Sequence, residues 1–205
     1  RQMAEERKLT TLTRYGQSDR ADIALHGEVV SCAPFLHFRW RTQHAATGEH
    51  GEWNEVRSQL IGAYNIDNML AAIAVGLRYD VDAALINHAL ESYAPSNNRS
   101  QLTVTESNKL IVDAYNANPT SMMAALKNFE MMDVKPKMAI LGMMGELGDV
   151  SREEHEKIVG ELQSARFDEV WLVGEAFENI HPPFTTFHDI DAVKAAIARQ
   201  QPKNL

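Results

Sequence analysis

Cysteine is almost missing from this chain: Cys32 is the only one among 205 residues, which excludes an internal disulfide and any Cys-rich metal site. Long apolar runs are missing as well. No stretch approaches the roughly 20 residues that cross a bilayer, so no membrane insertion is expected. The first residues, RQMAEERK, are charged and lack the apolar centre of a signal peptide. Basic excess is absent too. The formal net charge is −8 at pH 7, which argues against nucleic acid as a partner. It leaves room for a nucleotide, whose phosphates need only a few N–H groups and one or two cations. There is no GxxxxGK[ST] phosphate loop and no GxSxG nucleophile elbow. His26, His37, His44 and His50 have no metal-ligand spacing and read as surface or edge residues. A reducing, cytoplasmic setting is the expectation, with no complete catalytic apparatus and no metal site in the chain. It also lacks an initiator Met and stops after a helix where another strand is due, so it reads as cut at both ends.

What is present is ordinary for a globular protein, with 44% hydrophobic and 23% charged residues. The length allows one large domain or two small ones. Residues 1 to about 60 read mainly as β-structure. Leu36, Phe38 and Trp40 alternate with His37, Arg39 and Arg41, the period of a half-buried strand. Segments 24–31 and 55–61 are further strand candidates, and 47–52 is a polar hairpin turn. Gly62 to Asn65 then opens a helix whose apolar stripe is Ile66, Met69, Leu70, Ile73 and Leu77. Asn65 and Asn68 sit three apart at its start. They are either an N-cap with a tolerated first-turn amide, or two amides aimed into a ligand site. A second helix begins at an Asp82 cap and is expected to bury Leu85, Ile86, Ala89, Leu90 and Tyr93.

Ala94-Pro95-Ser96-Asn97-Asn98 breaks this pattern and reads as a linker between two domains, residues 1–93 and 94–205. Arg99 follows it, either simply solvated or facing a ligand. Beyond it, strand-like runs at 101–105, 110–112, 138–141, 170–173 and 185–187 alternate with helices near 119–131, 152–165 and 191–200. Strands and helices alternating at this length imply a parallel sheet with flanking helices, a Rossmann-like α/β domain. Ser151 and Glu154 form a capping-box pattern, with His155, Ile158, Val159 and Leu162 on the buried face of the helix that follows. The loop GMMGELG at 142–148 is glycine-rich but not GxGxxG, which disfavours a dinucleotide.

The segment LIVDAYNANPTS at 110–121 gathers the most chemistry. Leu110 to Val112 reads as a buried strand of the parallel sheet, and Asn118-Pro119 reads as a helix start. Asp113, Tyr115, Asn116 and Asn118 fill the turn between them. Ligands of open α/β sheets bind outside the carboxyl ends of strands. The turn is either a well-capped loop or half of a binding site.

Three pieces, GAYNIDNMLAA at 62–72, the linker with Arg99, and DAYNANPTSM at 113–122 followed by LGMMGELG and Ser151…His155, together resemble the Mur ligases. These are the ATP-dependent amide-forming enzymes of peptidoglycan precursor synthesis. The YNANP form is similar to the branch that adds D-alanyl-D-alanine to UDP-MurNAc-tripeptide. The resemblance implies that residues 1–93 are the tail of a central ATP-binding domain and 94–205 most of a C-terminal one. It implies ATP contacts from Asn65, Asn68, Arg99 and Asp113. Asn68 would meet the adenine, Asn65 would support the helix start, and Asp113 would meet the ribose. Tyr115, Asn116 and Asn118 would face the dipeptide and the reacting phosphate. The C-terminal domain would swing over the ATP. The P-loop, the Mg²⁺ ligands and the catalytic residues would lie upstream, so the chain alone would be inactive; the whole enzyme would be a monomer. Met143, where Asp is common, and Tyr64, where His is common, depart from the pattern. The residues leave two alternatives: a sister ligase of the diamino-acid-adding or folylpolyglutamate type, or a non-enzymatic nucleotide-binding module. The third residue of the acceptor peptide is not encoded in any motif here.

Overall fold

The computed structural model describes residues 12–18, 20, 22–44, 47–96 and 98–199. The chain divides into two compact units, Arg1–Ala94 and Pro95–Leu205.

In the first unit, β1 (Tyr15–Gly16), β2 (Leu25–Cys32), β3 (Phe35–Thr42) and β4 (Asn54–Ile61) form one sheet in that order. β1 runs parallel to β2, and β2–β3–β4 form an antiparallel meander. Alternation works as read from the sequence: Leu36, Phe38 and Trp40 are buried, each at 1% exposure or less, while the residues between them face outward. Helices α1 (Ile66–Arg78) and α2 (Ala83–Ser92) complete the core with Ile66, Met69, Leu70, Ile73, Ile86 and Leu90. The Trp40 indole N–H donates to Asn87 Oδ1 at 2.9 Å, so its one polar atom is satisfied inside the core.

Two expectations for this unit are corrected. His26 is buried, at 2% exposure, because Trp53 lies across the outer face of the sheet. The Trp53 ring sits 5.6 Å from the His26 ring and within 4.3 and 4.5 Å of the Arg39 and Arg41 guanidinium groups. On α2 only Ile86 and Leu90 are buried, while Leu85 and Tyr93 are at least half exposed. Ten residues of helix bury a single i, i+4 pair here, a narrower stripe than five apolar positions suggest.

In the second unit, β7 (Met138–Gly142), β8 (Glu169–Val173) and β9 (Thr185–Phe187) form a parallel sheet in sequence order. It is flanked by α3 (Pro119–Met131), α4 (Ser151–Ser164), the short α5 (Glu175–Glu178) and α6 (Ile190–Arg199). This is the Rossmann-like α/β arrangement. Its core joins Met122 and Leu126 of α3 and Ile158, Val159 and Leu162 of α4 to Val170 and Leu172 of β8.

The strand before Asp113 does not belong to that sheet. β5 (Gln101–Val104) and β6 (Lys109–Val112) pair antiparallel as a separate hairpin, with Gln101 opposite Val112 and Val104 opposite Lys109. The cause is the spacing. Only Thr105 to Asn108 separate the two strands, and a parallel neighbour would need a crossover of about a dozen residues. Thr105 Oγ1 accepts the Asn108 N–H at 2.9 Å and closes the turn. Leu110, read as buried, is 45% exposed in consequence.

Candidate functional site

The Asn65/Asn68 pair belongs to the first unit. β4 ends at Ile61, and Gly62 turns the chain at φ 97°, a conformation open mainly to glycine. The turn is closed by the Tyr64 ring, which occupies the space a Cβ on Gly62 would need. A 3₁₀ turn, Ala63–Asn65, then runs into α1. Asn65 therefore already has helical backbone and makes no side-chain cap. Its buried amide instead donates to the Ile61 carbonyl at 2.8 Å and accepts from Asn68 Nδ2 at 3.1 Å. Asn65 is a bracket for the helix start. Asn68 is exposed and oriented by that bracket.

The second unit brings together three of the candidates. The hairpin ladder ends at Gln101 and Val112, so the residues just outside it, 98–100 and 113–115, lie side by side. The Ala114 N–H donates to the Asn98 carbonyl at 2.8 Å. The Asp113 carboxylate accepts the Ser100 N–H at 3.2 Å on one oxygen and faces the Ser100 hydroxyl at 3.5 Å with the other. The Arg99 guanidinium carbon sits 3.7 Å from the centre of the Tyr115 ring. Each carboxylate oxygen has more than one lone pair, so Asp113 retains acceptor capacity beyond Ser100.

Asn118 follows in extended backbone, φ −134°, as a full helix cap. Its Oδ1 accepts the Ser121 N–H at 3.0 Å, and Ser121 Oγ accepts the Asn118 N–H at 3.3 Å. The cap is the one the Asn118-Pro119 pair foretold, and Ser121 makes it a reciprocal box that the pair alone does not announce. Asn116 is exposed in the turn.

A second concave region lies at the carboxyl ends of β7 and β8. It is a cleft of about 520 Å³ whose walls include Met143, Met144, Asp149, Arg152 and Glu175. Gly174, at φ 112°, lets the Met143 side chain approach to where a Cβ would lie 2.8 Å from its sulfur. Behind the wall, His155 is fully buried. Its Nδ1 lies 2.7 Å from the Ser151 carbonyl, which can only accept, so Nδ1 carries the proton. Nε2 then accepts the Met144 N–H at 3.0 Å. The imidazole is neutral and packs edge-on to Phe177 at 4.7 Å. The sequence placed His155 on the buried face but not in this bond. The signal was there, since Ser151 and His155 are one helical turn apart.

The capping box at Ser151 and Glu154 does not form. A 3₁₀ turn, Gly148–Val150, leads into α4, and Ser151 is already helical, making no side-chain cap. Among the described residues, no three His, Cys, Asp or Glu side chains gather as metal ligands, and no helix is long and apolar enough to cross a membrane.

The family model described as "Mur ligase, glutamate ligase domain" matches residues 98–203. A UDP-N-acetylmuramoyl-tripeptide–D-alanyl-D-alanine ligase from Treponema pallidum is 34% identical over 127 residues, 62% of this chain and 27% of that protein. A solved MurF from Acinetobacter baumannii superposes with a TM-score of 0.77 at 25% identity, covering 96% of this chain and 42% of the other. A Thermotoga maritima MurF solved with ADP shares the fold, with a TM-score of 0.69 at 17% identity over 92% of this chain and 42% of that one. The chain thus spans about a quarter of that curated relative and under half of those solved chains. With the family model matched over half of its length, across the turn at Asp113 and the cleft behind it, the chain belongs to the Mur ligase family.

Proposed function

We propose that this chain is part of an ATP-dependent ligase that adds D-alanyl-D-alanine to UDP-MurNAc-tripeptide in peptidoglycan precursor synthesis. The carboxylate of the tripeptide would first take the γ-phosphoryl group of ATP. The amine of the dipeptide would then attack the acyl phosphate and expel phosphate. The observation that carries the reading is the turn at 113–118, where Arg99 and Asp113 are held next to each other in one unit. That pairing suits a nucleotide: a carboxylate with spare acceptor capacity for ribose hydroxyls, and a cation for phosphates. Asn68, oriented by Asn65, supplies an exposed amide for the adenine.

In this reading, Arg1–Ala94 is the end of the central ATP-binding domain and Pro95–Leu205 most of the C-terminal domain. Asn116 and Asn118 border the dipeptide and the reacting phosphate. Such a site works by placing reactants and spreading charge. Mg²⁺ would neutralise the phosphates, with its ligands in the upstream part of the ligase that the family resemblance implies. ATP as co-substrate fits a cytoplasmic enzyme.

The test is phosphate release by the purified full-length protein, supplied with ATP, Mg²⁺ and one amine at a time, each with its matching acceptor: UDP-MurNAc-tripeptide for D-alanyl-D-alanine, and the shorter UDP-MurNAc acceptors or a folate for the single amino acids. Turnover is expected with D-alanyl-D-alanine and not with diaminopimelate, L-alanine or glutamate, and this chain by itself is expected to give none. Turnover with a single amino acid instead would assign a sister ligase. Nucleotide binding without any turnover would assign a binding module.

A further inference from the structure

We propose that Tyr115 is a positioning residue: its ring is the platform that sets the Arg99 guanidinium for the phosphates of the nucleotide. This rests on the reading of Arg99 as a nucleotide contact. It gives the Tyr115 ring a different job from the dipeptide contact implied by family resemblance.

The geometry is specific. The guanidinium carbon lies 3.7 Å from the ring centre. At that distance the guanidinium is in contact with the ring face. A guanidinium stacked on a ring keeps its N–H groups, which lie in its own plane, for outside acceptors. Among the described residues no carboxylate pairs with Arg99, so its charge is not already neutralised. Tyr115 is 64% exposed, and its ring is therefore not a core side chain that the arginine merely brushes.

The stack is also held from behind. The hairpin sets Gln101 opposite Val112, the Ala114 N–H bonds the Asn98 carbonyl, and the Ser100 N–H bonds the Asp113 side chain, so the backbone on both sides of Arg99 is tied to the segment 112–114 that leads into Tyr115. Asn98 and Ser100, flanking Arg99, sit at φ 57° and 48°. Non-glycine residues keep such conformations where surrounding contacts over-determine them. An exposed arginine without a platform samples many rotamers, and ordering it when a ligand arrives weakens that binding. The ring removes part of this cost in advance. It needs an aromatic face for that and has no use for the hydroxyl.

The experiment compares the full-length ligase with its Tyr115→Phe, Tyr115→Leu, Arg99→Ala and Arg99→Ala/Tyr115→Leu variants, reading KM for ATP, KM for D-alanyl-D-alanine and kcat. Tyr115→Phe is expected to stay within about twofold of wild type, since Phe keeps the ring face. Tyr115→Leu is expected to raise KM for ATP by about three- to fivefold, the size of an exposed cation–π contact, and to leave KM for the dipeptide alone. Added to Arg99→Ala, it is expected to change nothing further. Equal losses in the Phe and Leu variants, falling on the dipeptide, would overturn the platform and assign the hydroxyl to the dipeptide. So would full additivity in the double variant. An Arg99→Ala enzyme with wild-type KM for ATP would remove the nucleotide reading of Arg99 itself. An effect of Arg99→Ala with none from Tyr115→Leu would sink the platform alone.

Discussion

Two ring nitrogens of one buried histidine hold the loop after β7 in place. His155 Nδ1–H donates to its own helix at Ser151, and Nε2 receives the Met144 N–H from a loop eleven positions away in sequence. Replacement by Phe keeps a ring against Phe177 but strands a buried backbone N–H. Such a group costs about 1–3 kcal/mol when unpaired. His155→Phe is therefore expected to lower the unfolding free energy by that amount, read as a lower denaturation midpoint; an unchanged midpoint would mean Met144 finds another acceptor. Sequence periodicity could place His155 inside, because burial follows from helical spacing. It could not find Met144, because that partner is set by the path of a loop. Arg99 and Tyr115 show the same limit, since they are sixteen positions apart and only the hairpin register joins them.

At the scale of elements, helix starts show where local reading succeeds and where it fails. Asn118 caps α3 as its sequence suggests, because Pro119 fixes the first helical φ and leaves Asn118 extended. Asn65 and Ser151 carry equally good cap chemistry and do not cap. Both helices are entered through a 3₁₀ turn, which moves the true start upstream and leaves these residues already helical. Nothing in the S-x-x-E pattern of Ser151 warns of this. The cap at α3 also permits a clean separation of roles. Asn118→Ala is expected to cost about 1 kcal/mol of stability, while Asn118→Ser keeps the cap and stays near wild type in urea denaturation. If the Asn118 amide also meets the dipeptide, Asn118→Ser in the full-length ligase raises KM for D-alanyl-D-alanine. An unchanged KM would confine Asn118 to its helix.

Taken whole, the molecule was most legible where chain order and spatial order agree. The β7–α4–β8 succession, followed by β9 and α6, reads directly as a parallel sheet with helices, because each crossover is long enough to have one sensible path, while the four-residue α5 between β8 and β9 leaves no such pattern. The first unit was legible through the alternation in β3. The strand before Asp113 was not, since four residues between two apolar runs are a weaker signal than the strand–helix rhythm around them. The candidate residues came from motif order, and their grouping came from that misplaced strand.

The same hairpin has a consequence in time. Antiparallel strands joined by a four-residue turn close in about 1–10 μs, whereas a parallel sheet waits for its crossovers to be spanned. A lone hairpin is marginal, so its early protection is partial. Pulsed hydrogen exchange during refolding is expected to slow the Ala114 amide, bonded to Asn98, before the Met143 and Gly174 amides, bonded to Val173 and Phe187. The reverse order would tie the turn to the sheet. If the hairpin leads, Arg99 and Tyr115 meet while the rest of their unit is still a chain.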